Sequence, residues 1–82
     1  RKGFYKEAIS NYTQAINLNP DFAETYVSRA TVRYLTEDEQ GDFEDLNKAL
    51  NIYKDRGDTQ RYNIVLDMVQ HIRREAEWEK NL

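Results

Sequence analysis

Cysteine is absent from this chain, which excludes disulfides, thiolate metal sites and a thiol nucleophile. His71 is the sole histidine, with no second His for a metal set and no Ser in its sequence context for a Ser-His-Asp arrangement. No apolar run approaches a membrane span, and no signal-peptide pattern opens the chain. An excess of positive charge is also missing. The net charge is −3, which argues against nucleic acid, because phosphate binding needs a basic face. These absences leave a soluble intracellular domain, cytoplasmic by default, without cofactor or metal. With 82 residues it is one small domain, close to the size at which a single core is barely sufficient. The first residues are Arg1-Lys2, with no Met, so further sequence is expected upstream.

What is present is helical periodicity. Tyr5, Ala8, Ile9, Tyr12, Ala15 and Ile16 recur at three-and-four spacing and predict a first helix over about 4–18. Asn19-Pro20 ends it, because a residue before proline is pushed out of the helical region, and Asp21 offers an N-cap for the next. A second helix is predicted over 22–35, with the small Ala30 suited to a close helix crossing. Thr36 and Glu39 have the spacing of a capping box for a third helix over 39–54. Gly57 is the breaker after it, and Asp58 or Thr59 can cap a fourth helix from about Gln60 into the high seventies. Its seam is Tyr62, Val65, Leu66, Val69 and Ile72. Beyond that the stripe fades into a solvated end where Trp78 is the notable residue.

The first helix recurs. Shifted by 34 positions without a gap, Ile9 falls on Phe43, Tyr12 on Leu46, Ala15 on Ala49, Ile16 on Leu50, Asn17 on Asn51 and Leu18 on Ile52. Read in order, Gly3-Phe4, Ala8-Ile9, Tyr12, Ala15-Ile16 and Leu18-Asn19-Pro20 resemble the second helix of a tetratricopeptide repeat, a helix–turn–helix unit of about 34 residues. The resemblance implies an all-α fold of antiparallel helix–turn–helix repeats, an α-solenoid. Residues 1–20 would be the second helix of a truncated repeat, 21–56 one complete repeat, and 57–80 a C-terminal capping helix of the kind repeat arrays need.

The second unit departs from the family pattern. Where the first helix of a repeat offers Trp, Leu-Gly and Tyr, this chain has Tyr26, Arg29, Ala30 and Arg33. Tyr26-Val27-Ser28-Arg29-Ala30 with Arg33-Tyr34 resembles a subclass common in bacterial, notably cyanobacterial, repeats. That likeness implies an ion pair between Arg29 and Asp45 across the helix pair. Glu37 stands where the family's turn carries glycine, and Asp42 replaces the small residue that Ala8 supplies in the first unit. The same fold with a looser or re-aimed turn is expected.

Chemistry beyond packing is sparse. The acids Glu37, Asp38, Glu39, Asp42, Glu44 and Asp45 lack the alternating loop of a calcium site, and capping of a helix N-terminus accounts for them. Ser10 and Ser28 lie in helices without oxyanion glycines, so no enzyme is read here. Tyr53, Lys54 and Arg56 offer little to a nucleic acid.

Stacked repeats leave a concave groove lined by first helices. Here its lining would be Glu24, Val27, Ser28, Thr31, Tyr34 and Leu35, with Arg61 and Val65 from the fourth helix and Phe22 at the rim. No Lys or Asn from the second helix lies in that lining, so the carboxylate clamp of chaperone-binding relatives is not carried over. The expected function is a protein-interaction module, a scaffold or assembly factor holding a protein or peptide segment in the groove. The alternative is a homo-oligomer paired through Tyr5, Ile9 and Tyr12 of the first helix.

Overall fold

The computed structural model describes the backbone of residues 2–80 and the side chains of residues 3–75. The described residues form four helices: α1 (Lys2–Leu18), α2 (Ala23–Leu35), α3 (Glu39–Asp55) and α4 (Thr59–Lys80). The side chain of Trp78 lies outside the described residues. Each helix packs on the next in sequence, as short connections require of antiparallel neighbours. The architecture is the all-α helical-repeat one.

Small residues set how closely the middle helices approach. Ala23 and Ala30 of α2 and Ala49 of α3 are wholly buried, and Leu46 fills the space beside them. The α4 seam contributes Val65, Val69 and Ile72, each nearly buried. A buried side chain of this size contributes about 1.5–3 kcal/mol. Arg73 lies 5.7 Å over the Phe43 ring and adds a cation–π contact between α4 and α3. The hydroxyl of Tyr26 donates to the Pro20 carbonyl at 2.9 Å and closes the α1–α2 turn.

The helix starts differ from expectation in two places. Phe22, not Asp21, is the N-cap of α2, and no side chain caps it; the Asp21 carbonyl instead accepts from Arg56 at 2.6 Å. At α3 the cap is Asp38, whose Oδ1 accepts from the Gly41 amide at 3.0 Å, in place of the Thr36–Glu39 box. Thr36 belongs to the end of α2, where its hydroxyl donates to the Arg33 carbonyl. Asp58 caps α4 through the Arg61 amide at 3.2 Å.

The α2–α3 and α3–α4 turns are the same turn. In each, two amides past the helix end reach back to carbonyls: Glu37 to Tyr34 and Asp38 to Arg33, then Gly57 to Lys54 and Asp58 to Tyr53. This is the Schellman pattern, which requires a left-handed residue one position past the cap. Gly57 takes it at φ 70°, and Glu37 takes it at φ 66°. The α2–α3 turn is therefore neither looser nor re-aimed. Glu37 keeps the geometry that glycine would, at the steric cost of a Cβ.

A polar network ties three helices together. Arg29 donates from Nε and Nη2 to the two carboxylate oxygens of Asp45, at 2.9 and 2.7 Å. Its remaining nitrogen donates to Thr13 Oγ1 on α1 at 3.0 Å, and that hydroxyl donates to the Ile9 carbonyl. Arg33, one turn along α2, also donates to Asp45, at 3.0 Å, and to the Gly41 carbonyl. The Asp45 side chain is 4% exposed, so its charge is held by two guanidinium groups rather than by water. The hydrogen bond to Asp45 raises the Arg29 pKa above its usual value, and the charge is permanent.

Two stability changes follow. Glu37→Gly should raise the unfolding free energy by about 1 kcal/mol, by removing the left-handed penalty of a residue with a Cβ. Urea titration that shows a loss would refute the strain. Asp45→Ala should cost about 3 kcal/mol or more, since it leaves Arg29 without a carboxylate partner and takes one from Arg33, which keeps Asp38 at 3.8 Å; Arg29→Leu should cost less, because Arg33 keeps Asp45 paired. The Arg29→Leu/Asp45→Ala double variant should depart from additivity by at least about 1 kcal/mol. Strictly additive losses would show that the two side chains act separately.

Candidate functional site

α2 and α4 both pack around α3 and leave a groove between them, with α3 as its floor. One half, about 330 Å³, is lined by Glu24, Val27 and Ser28 of α2, by Arg61, Ile64, Val65 and Met68 of α4, and by Tyr53 beneath. The other half, about 400 Å³, is lined by Thr31 and Tyr34 of α2, by Asp67, Met68, His71 and Ile72 of α4, and by Asp42 of α3. Met68 lines both, so the two halves adjoin at that side chain.

Most residues expected in the groove are brought together there, though not equally. Val65 is nearly buried and serves as floor rather than as contact surface. Leu35 is 52% exposed at the far end, in a hollow shared with Tyr34, Glu37, Glu39 and Glu75. Phe22 is exposed at the start of α2 and lines neither half. The structure adds Ile64, Asp67, Met68 and His71. With Arg61 they sit three or four residues apart, a helical stripe on the face of α4 beside the Val65 seam.

Hydrogen bonds close both ends. Tyr53 donates to Glu24 Oε1 at 3.0 Å, and Arg61 stands 4.0 Å from the same oxygen while pairing with Asp58 at 2.9 Å. Burial, and then the hydrogen bond to Glu24, pushes the Tyr53 hydroxyl up to about 12. So Tyr53 is a fixed donor, and its buried ring is no platform for a base. At the other end Tyr34 donates to both oxygens of Glu75 at 3.3 Å. The Glu75 charge raises the Tyr34 pKa. His71 Nε2 lies 2.7 Å from Glu75 Oε1 on the same helix, with its ring largely exposed.

The acid run on α3 is more than capping. Of its six members Asp38 caps and Asp45 is paired, but Asp42 does neither. Asp42 is 2% exposed, and its Oδ2 has no hydrogen-bond partner. Burial pushes its carboxyl up to about 6, helped by the charges of Asp45, Asp38 and Glu39. Among the described residues no group of three or more His, Asp or Glu is placed to hold a metal ion. No helix among them is long and apolar enough to cross a membrane.

The shift of Asp42 gives stability a pH dependence of definite sign. Between about 4 and 6 the folded chain holds a proton that the unfolded chain releases, so this group's contribution falls as pH rises through that window. Asp38, Glu39 and Asp45 face it from its own side, with Tyr34, Asp67 and His71 across the cavity. Asp42→Ala should therefore raise the unfolding free energy at pH 7.5, by up to a few kcal/mol. Thermal melts should show that gain shrinking to the residual effect of side-chain removal below pH 4. A gain of equal size at both pH values would show that the Asp42 charge has no part in it.

Residues 1–36, which hold α1, the turn and α2, match the family model described as TPR repeat. Over 63 residues, 77% of this chain, the sequence is 41% identical to "Tetratricopeptide repeat protein 36" of Bos taurus. The chain spans about a third of that relative's length, 34%. No solved structure gives a significant match. Helices joined by equivalent turns, a small-residue crossing and these two likenesses agree: residues 1–36 match the tetratricopeptide repeat, and the chain resembles that family over most of its length.

Proposed function

We propose that this chain is a protein-interaction module, part of a scaffold or assembly factor, and that it holds a segment of a partner protein in the α2–α4 groove. Tetratricopeptide repeats generally mediate protein–protein contact, and their proteins are typically scaffolds rather than enzymes. The carrying observation is the groove itself. Its two halves adjoin at Met68 and are mainly apolar in their lining, with polar groups set along them at Glu24, Ser28, Thr31 and Asp42. An apolar channel with spaced polar groups suits an extended or helical segment, whose side chains take the pockets while its backbone meets the polar groups. In this reading α2 and α3 form the complete repeat, α1 is the second helix of a preceding one, and α4 is the cap.

A second reading rests on α1. Tyr5, Ile9 and Tyr12 are only half-buried there, and a second copy of the chain would cover them.

Capture experiments with the chain separate the two. Val27→Asp/Tyr34→Ala should abolish partner capture, while circular dichroism shows the helices retained. Tyr5→Lys/Tyr12→Lys should leave capture intact. Partners that survive the groove change bind elsewhere, and the groove reading then fails. Sedimentation across a concentration range tests the second reading, which a strict monomer removes.

A further inference from the structure

The Asp42 carboxylate has an unusual situation in this fold. It is nine-tenths buried and more, it lines the larger half of the groove, and one of its oxygens has no partner. A buried acceptor left unpaired is costly, and a buried charge left unpaired more so. Protonation does not resolve this at neutral pH, because a carboxyl raised to about 6 is still mostly ionised there. Nor do the neighbouring arginines. Arg29 and Arg33 both turn to Asp45, and Arg33 has the Gly41 carbonyl as its further acceptor. His71, in the same cavity, faces Glu75. By contrast Glu24, the other groove acid with an unpartnered oxygen, already has Tyr53 on its first oxygen and Arg61 beside it.

The rest of this half suits one kind of visitor. Met68 and Ile72 supply an apolar wall, Thr31 and Tyr34 face them, and Asp67 stands exposed at the rim as a second negative charge. We propose that this half of the groove receives a lysine side chain of the partner segment, its stem along Met68 and Ile72 and its ammonium at the Asp42 carboxylate. A lysine fits better than an arginine. One orphaned oxygen matches a compact point charge on a flexible four-carbon stem, whereas a guanidinium fork calls for two parallel acceptors. This rests on the groove being the partner site, and it adds the chemistry of one residue in the partner.

The test uses the full chain and three blocked pentapeptides of glycine and alanine, with lysine, arginine or norleucine at the centre. Methyl resonances of Met68 and Ile72 report binding by NMR at pH 7.5. The lysine peptide should give saturable shifts at both methyls, with an affinity at least tenfold above that of the norleucine peptide. Asp42→Asn and Asp42→Ala should each weaken the lysine peptide at least tenfold and leave the norleucine peptide unchanged. Folding of the variants is checked by the same melts that test the Asp42 charge. Equal binding of norleucine and lysine overturns the cation site and leaves the groove reading standing. Undiminished lysine binding by the Asp42 variants, or no saturable shift at all, also overturns it. Tighter binding of the arginine peptide overturns the choice of lysine. Failure of the groove reading itself shows separately, as partner capture that survives Val27→Asp/Tyr34→Ala.

Discussion

The carboxylate of Asp45 is the point at which three helices meet electrostatically. It is buried on α3, yet it accepts from two arginines of α2, one of which also reaches Thr13 on α1. A charge so placed is tolerable only when its oxygens are fully occupied, and the bidentate Arg29 fork with Arg33 beside it does that. Apolar contact alone constrains α1 rather weakly. Ile16 is its one side chain in the buried core among the described residues, while Leu18 is 87% exposed. The hydrogen-bonded chain from Asp45 through Arg29 to Thr13 therefore fixes how α1 lies on α2. Hydrophobic burial holds the helices together, and this network sets their register.

Asp42 lies one turn before Asp45 on the same helix, and the contrast between them shapes the groove. Both are buried, and both face α2 or the space beside it. The arginines serve only the later one. Gly41 helps to decide this. A Cβ there would meet the Asp38 carboxylate and come within 2.9 Å of Arg33 Cδ. Its absence leaves room for the Arg33 stem to pass over α3 toward Asp45 while Asp38 keeps its cap. The structural cations are thus drawn to one side of α3, and the groove side keeps an uncompensated acid. A position that holds the small Ala8 in the first unit has become a polar group in the floor of the groove.

How much of this was legible in the sequence depends on what each feature rests on. Helices stood out because their stripes obey a simple period, and the repeat because Ala15 and Ala49 recur with their neighbours at the same spacing. Helix ends were harder. Thr36 and Glu39 have the spacing of a capping box, but the Schellman bonds of α2 keep Thr36 within the preceding helix end, and the cap falls to Asp38. Nothing local distinguishes the two outcomes, since both place a short polar side chain before the same helix. In the groove, α2 was readable from the place a first helix is expected to take in a stacked repeat. The α4 contribution depends on how far that helix rotates about α3, a tertiary quantity, so Ile64, Met68 and His71 were missed and Phe22 was placed at a rim it does not line. The state of Asp42 was illegible for a related reason. An acid in an acid run looks solvated until the packing shows that it is not.

The groove itself comes from repetition of a turn. Thr36-Glu37-Asp38 and Arg56-Gly57-Asp58 each close a helix with the same pair of back-reaching amides, place one residue in the left-handed region, and end on an aspartate that caps the next helix. The same turn thus carries α2 to α3 and α3 to α4. α4 then returns to the side from which α2 came, and the two flank a channel over α3. Glu37 is strained because the path requires a left-handed residue there, whatever its side chain. Glycine at that position would relieve the strain and leave the path unchanged. The position of the groove is accordingly a property of the turns, and its polarity a property of the few polar side chains that face into it.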